Sequence, residues 1–139
     1  MFFLTPRKTP PMATILLGKR PDTFAPFDVK FKAPDGRDLV IPAVAFKYRS
    51  RKEFAALVDG VNARQGYQPE AGETFSLAKV FEAADGKSSD LLADSIKAWG
   101  LEEPLTRQTF EQIVDEMPAA FAALWECYAA AARDGRLGN

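Results

Sequence analysis

FKYRSRKEFAALVDGV, residues 46–61, decides the fold, because an alternating run gives way there to a capped amphipathic helix. Ser50 stands three residues before Glu53, the spacing of a capping box. The serine oxygen accepts from a first-turn N–H while the carboxylate reaches back to the serine N–H. Beyond the cap, Phe54, Leu57, Val58 and Val61 fall at i, i+3, i+4 and i+7 and make one apolar stripe, with Arg51, Lys52, Asp59 and Asn62 on other faces. The spacing predicts a helix over residues 50–64 with Phe54 in a core. Ahead of it, Val40, Pro42, Val44 and Phe46 share a parity opposite to that of Lys47 and Arg49, the pattern of a strand with one buried face.

Working outward, Phe27, Val29 and Phe31 alternate with Asp28, Lys30 and Lys32, and the run Ala33-Pro34-Asp35-Gly36 reverses the chain, since proline presets φ and glycine accepts positive φ. Residues 27–32 and 39–48 are therefore read as an antiparallel β-hairpin. Pro42 has no N–H to donate, so the second strand is expected to be at an edge or bulged there. Residues 1–22 read as an N-terminal arm, free or docked: prolines and threonines dominate residues 1–11, Met12 opens a second start, and Ile15, Leu16 and Leu17 form a short apolar patch closed by Gly18 and Pro21.

Downstream the period is helical throughout. Residues 74–84 carry Leu77, Val80, Phe81 and Ala84 on one face and are stopped by Asp85-Gly86. Ser88 or Ser89 caps a second helix with Leu92, Ile96 and Trp99 on a face, ending at Gly100. Thr106 caps a third, with Phe110, Ile113, Val114 and Met117 aligned. Pro118 opens a last one, running to about Arg133 with Phe121, Leu124, Trp125 and Tyr128 on one side and Gly135 at its end. Strands followed by helices, with no βαβ alternation, predict an α+β fold: an N-terminal hairpin and then a mostly helical bundle of four to five helices. One domain is expected over residues 23–135, with residues 136–139 frayed.

Composition narrows the function. At 139 residues, 47% hydrophobic and 27% charged, the chain suits one core without metals or disulfides to staple it. Eighteen basic against nineteen acidic side chains leave a formal charge of −1, which supplies no global pull toward nucleic acid or anionic lipid. No run approaches the ~18 apolar residues of a membrane span, and Pro6, Pro10 and Pro11 interrupt any signal-peptide core. With no histidine, neither a Ser-His nor a Cys-His catalytic arrangement can be built, and the single Cys127 leaves no zinc set. Cys127 lies in an apolar helical pattern, read as an inert buried thiol in a reducing cytoplasm. The pairs Glu102-Glu103 and Asp115-Glu116 diverge on a helix by ~100° per residue and do not read as an acid/base couple. No enzyme and no cofactor is expected.

The one polar candidate is Lys47, Arg49, Arg51 and Lys52, four cations within six residues around Tyr48. They suit a phosphate, a carboxylate or, with Tyr48 stacking, a base. Cations at a helix start oppose its dipole, and the near-neutral chain disfavours nucleic acid, so the patch reads as solvated or protein-binding. Trp99, Trp125 and Tyr128 sit at helical apolar positions and are expected in the core. The alanine-rich last helix allows close approach in a bundle or a homo-oligomer.

Taken in order, the hairpin entering FKYRSRKEFAALVD at residues 46–59 and then IKAWGLEEPLTRQTFEQIVDEMPAAFAALWECY at residues 96–128 resemble the tail assembly chaperones of tailed bacteriophages and prophages. The second block matches that family's tryptophan-glycine turn, acidic proline loop, threonine-capped helix and proline-started final helix with its tyrosine. Residues 65–88 are longer than the family's usual connection, and residues 1–11 have no counterpart in it. The resemblance implies a cytoplasmic protein of the infected bacterium that binds the tape-measure protein, and through assembly meets the tail-tube protein, keeping the former soluble until tube subunits polymerise around it. The candidate partner-binding residues are the basic cluster Lys47, Arg49, Arg51 and Lys52 and the apolar patch Ile15, Leu16 and Leu17, read from the residues and not from the resemblance. A structural tail component and a small nucleic-acid-binding regulator are the alternatives.

Overall fold

The computed structural model describes residues 12–137; the readings of residues 1–11 and of residues 138–139 fall outside them. The order of elements is β1 (Phe27–Lys32), β2 (Asp38–Phe46), α1 (Arg51–Asn62), α2 (Leu77–Ser95), β3 (Ile96–Ala98), α3 (Arg107–Glu116) and α4 (Pro118–Asp134). The fold is α+β, as the run of strands followed by helices predicts. The antiparallel sheet has the order β1-β2-β3, so the hairpin is extended by a third strand.

That strand corrects the reading of Ile96 and Trp99 as a helix face. The chain leaves α2 at Ser95 and turns Ile96–Ala98 onto the free edge of β2, where the Lys47 N–H donates to the Ser95 carbonyl at 2.7 Å. Three residues spaced at i, i+4 and i+7 satisfy a helix template whichever way the last few are folded. An unpaired strand edge next to them outweighs that weak preference.

β2 is thus the central strand, and Pro42 is not at an edge. It sits at a bulge instead: Phe27 pairs with Val44 but Val29 with Ile41, so β2 holds one extra residue there. Ala43 absorbs the irregularity in the left-handed region at φ 53°, and its N–H donates sideways to Asp28 Oδ1 at 3.0 Å. The bulge also inverts the side-chain parity. Ile41, Val44 and Phe46 are buried, whereas Val40 is turned to solvent, contrary to the alternation read from Val40 to Phe46. Gly100 closes the same corner. Its N–H donates to the Pro42 carbonyl at 2.7 Å, and a Cβ there would stand 3.0 Å from Pro42 Cγ and 3.1 Å from its oxygen.

The helix starts follow their sequence signals. Ser50 and Glu53 make both halves of the capping box, Thr106 caps α3 through the Thr109 N–H, and Pro118 occupies the first turn of α4. Gly135 ends α4 in the left-handed conformation at φ 69°, with its own N–H donating to Ala131 and that of Arg136 to Ala130. The exception is α2, one continuous helix capped by Ser76 that runs through Asp85-Gly86. A glycine inside a helix costs about 1 kcal/mol, which packing against α3 readily offsets. Ser88 and Ser89 are therefore interior residues, and the Ser89 hydroxyl, fully buried, donates back to the Asp85 carbonyl at 2.7 Å.

The core is built where α4 crosses the sheet. Phe46 stacks on Tyr128 with centroids 4.9 Å apart, Phe27 meets Phe46 edge-on, and Phe54 of α1 stacks on Trp125 at 5.4 Å and meets Tyr128 edge-on. Val29, Val44 and Leu124 fill the space between, while Leu92, Phe110 and Val114 carry the core to α2 and α3. The opposite face of the sheet is open, with Asp28, Lys30 and Val40 exposed on it.

Candidate functional site: a part-buried arginine hub and exposed apolar surfaces

The four cations read as one patch are separated by the fold. Arg49 turns inward. Its Nη1 donates to Tyr128 Oη at 2.7 Å and to Ser95 Oγ at 3.1 Å, and its Nη2 to the Asp94 carbonyl at 3.2 Å. The Tyr128 hydroxyl in turn donates to the Lys47 carbonyl at 3.0 Å. Three segments that are distant in sequence, residues 47–49, 94–95 and 128, are joined through this one guanidinium. Burial pushes the Tyr128 phenol above its ordinary pKa, with Arg49 pulling the other way, so the hydroxyl keeps the proton it donates. Arg49 is a structural tie that commits three of its five N–H donors to these contacts. Lys47, Arg51 and Lys52 remain on the surface.

Tyr48 is also occupied. Arg20 lies over its ring at 4.9 Å and pairs with Glu53, and Phe24 packs against the same ring at 5.1 Å. The Ser50 N–H and then Arg20 hold the Glu53 carboxyl down at about 2. Together with the Tyr48 N–H donating to the Asp22 carbonyl and that of Phe24 to Phe46, these contacts root residues 20–24 on the strand-to-helix corner. The arm is thus docked at its base.

Beyond that root it offers apolar surface. A tight turn, with the Lys19 N–H facing the Leu16 carbonyl and Gly18 at φ 85°, displays Ile15, Leu16 and Leu17 at 85%, 64% and 93% exposure. These three residues of the sequence prediction are held in solvent by an anchored base, an arrangement that folding alone does not favour. Two further apolar regions were not picked out as binding residues. Phe75, Leu77 and Phe81 stand exposed at the start of α2, and a groove between the hairpin and α3 is lined by Phe31, Leu39, Val40, Ile113 and Met117. The signal for the first was present as a helical stripe at Leu77, Val80, Phe81 and Ala84, but periodicity identifies an apolar face without saying whether anything covers it.

Among the described residues no three Cys, Asp or Glu side chains stand close enough to hold a metal ion, and no helix is long and apolar enough to cross a membrane. Burial pushes the half-buried Cys127 thiol up, away from the thiolate that reacts. The distinctive feature is apolar surface presented to solvent on a well-packed body.

Neither curated proteins nor solved structures gave a match. A family model described as phage tail assembly chaperone matches residues 12–139, which include the rooted arm, the hairpin and all four helices. The chain belongs to the phage tail assembly chaperone family.

Proposed function

We propose that the protein binds the phage tape-measure protein in the cytoplasm of the bacterial host and keeps it soluble until tail-tube subunits assemble along it. The observation that carries this reading is the display of Ile15, Leu16 and Leu17 on an arm fixed at its base by Arg20, Asp22 and Phe24. A tape-measure protein is a long, apolar-rich helical client whose own segments would associate during synthesis. A binder that covers such segments reversibly works by equilibrium burial of apolar surface and needs neither nucleotide nor a catalytic group. Each large aliphatic side chain buried against the client contributes about 1.5–3 kcal/mol, so three on one arm are enough to hold a segment and still let it go when tube subunits compete.

Co-expression with the neighbouring tape-measure gene tests the reading. The soluble yield of the tape-measure product rises with the wild-type chain, the two co-purify, and the gain falls with Leu16→Asp and Leu17→Asp together, a change at exposed positions that leaves thermal unfolding unaltered. No rise in soluble tape-measure protein with the wild-type chain would refute the function. Stoichiometric recovery of the protein from purified virions would refute the transient role.

A further inference from the structure

Helix α2 is longer than the body it packs on. Leu92 and Ser95 are buried at its C-terminal end, and the same stripe runs back through Ser88, Ala84 and Phe81 to Leu77 in steps of three and four. In that first half the stripe loses its cover: Leu77 and Phe81 are 56% and 57% exposed. A groove opens there between two helices, with Phe81, Glu82, Asp85 and Gly86 on the α2 side and Glu111 and Asp115 on the α3 side.

The charge of this groove is one-sided. Glu82, Asp85 and Asp115 make no salt bridge among the described residues, and Glu111 shares Arg107 with Asp90. Asp85 is pushed above its ordinary pKa by burial and then by Asp115. Covering Phe81 with a neutral or acidic partner would strip water from carboxylates that have no counter-ion, at a cost exceeding the apolar gain. The partner must therefore bring its own cations. A slot between two helices, whose apolar side chains are Ala78 and Phe81, accepts a third helix by the packing that joins α2 to α3 further along.

We propose that the α2–α3 groove takes an amphipathic helix of the client whose apolar spine is flanked by lysine or arginine; this names the client's chemistry and rests on the client-binding function above. The test uses the full chain and two labelled helical peptides with one leucine spine, flanked by lysines in one and by glutamates in the other, followed by fluorescence anisotropy. The lysine peptide binds about tenfold or more tightly than the glutamate peptide, as two or three newly formed charge pairs provide, and the difference shrinks with salt. Gly86→Leu fills the groove at a helical position whose Cβ meets nothing within 4 Å. It keeps the circular dichroism of the wild type and melts no lower, since it removes a helix-interior glycine, and it loses the lysine peptide. Glu82→Lys with Asp115→Lys reverses the preference between the two peptides.

Equal affinity for both peptides, binding of neither, or full binding by Gly86→Leu would overturn the proposal. So would a Gly86→Leu chain that runs smaller than the wild type on size exclusion, which would assign the groove to a second copy. Co-expression separates this inference from the function it rests on. If wild type and Gly86→Leu both solubilise the tape-measure protein, the groove assignment falls and the function stands. If the wild type does not, the function falls, and the peptide pair still decides the groove.

Discussion

Replacing Tyr128 by Phe deletes a single oxygen from the centre of the molecule and tests whether the Arg49 hub holds the sheet, α2 and α4 together. The ring keeps its stack on Phe46 at 4.9 Å and its edge contact with Phe54, so apolar burial barely changes. What is lost is the 2.7 Å bond from Arg49, whose charge makes it strong, and the 3.0 Å bond to the Lys47 carbonyl. Arg49 retains Ser95 Oγ and the Asp94 carbonyl, which limits the damage. A charge-assisted bond contributes about 1.5–3 kcal/mol and a neutral one about 1 kcal/mol, and partial re-solvation of the guanidinium returns some of the sum, so the expected loss is about 2 kcal/mol. For a chain of this size that lowers the melting temperature by roughly 7 °C. Urea unfolding measures the free energy directly, with an unchanged m-value expected, since the surface exposed on unfolding is the same. Arg49→Met should show the same dependence, and the double variant should fall short of additivity by about 1–2 kcal/mol. A Tyr128→Phe loss below about 0.5 kcal/mol, or additive behaviour of the pair, would show that the guanidinium is held from elsewhere and that the hub is incidental.

Three further outcomes follow from the same packing. Phe54→Ala removes a buried ring lying between Trp125 and Tyr128, and should cost about 3–5 kcal/mol in chemical denaturation; an unchanged midpoint would mean that α1 does not seal the core. Ala43→Gly relieves a non-glycine residue held at φ 53° and should stabilise the protein by about 1 kcal/mol, whereas a destabilised variant would contradict the strain read at the bulge. Glu53 has its pKa lowered from 4.5 to about 2 by the Ser50 N–H and Arg20. A depressed carboxylate stabilises above its unfolded value and loses that contribution as pH falls through the folded one. The stability gap between wild type and Glu53→Gln should be constant above about pH 5 and close between 4.5 and 2, as followed by thermal melts across that range; a gap independent of pH would contradict the pairing.

Signals carried by neighbouring residues were legible in the chain alone. The capping box at Ser50 and Glu53, the caps at Thr106 and Pro118, the glycine stop at Gly135 and the hairpin turn at Ala33–Gly36 depend on hydrogen bonds and φ preferences within a few residues, so the sequence contains the whole cause. The apolar arm at Ile15, Leu16 and Leu17 was visible for the same local reason, and the order of blocks from the hairpin to the tyrosine-bearing last helix carried the family. Tertiary structure decided the remainder. Ile96–Ala98 became a strand because β2 had a free edge beside it. Asp85-Gly86 stayed helical because α3 lies along α2, and Val40 turned outward because a bulge at Pro42 shifted the parity. Arg49 left the basic patch because Tyr128, 79 residues away, offered it a buried acceptor. Burial is likewise a property of the assembled body: Phe54 and Phe81 both sit on helical apolar stripes, and only the placement of α4 behind the first makes it a core residue while the second stays exposed.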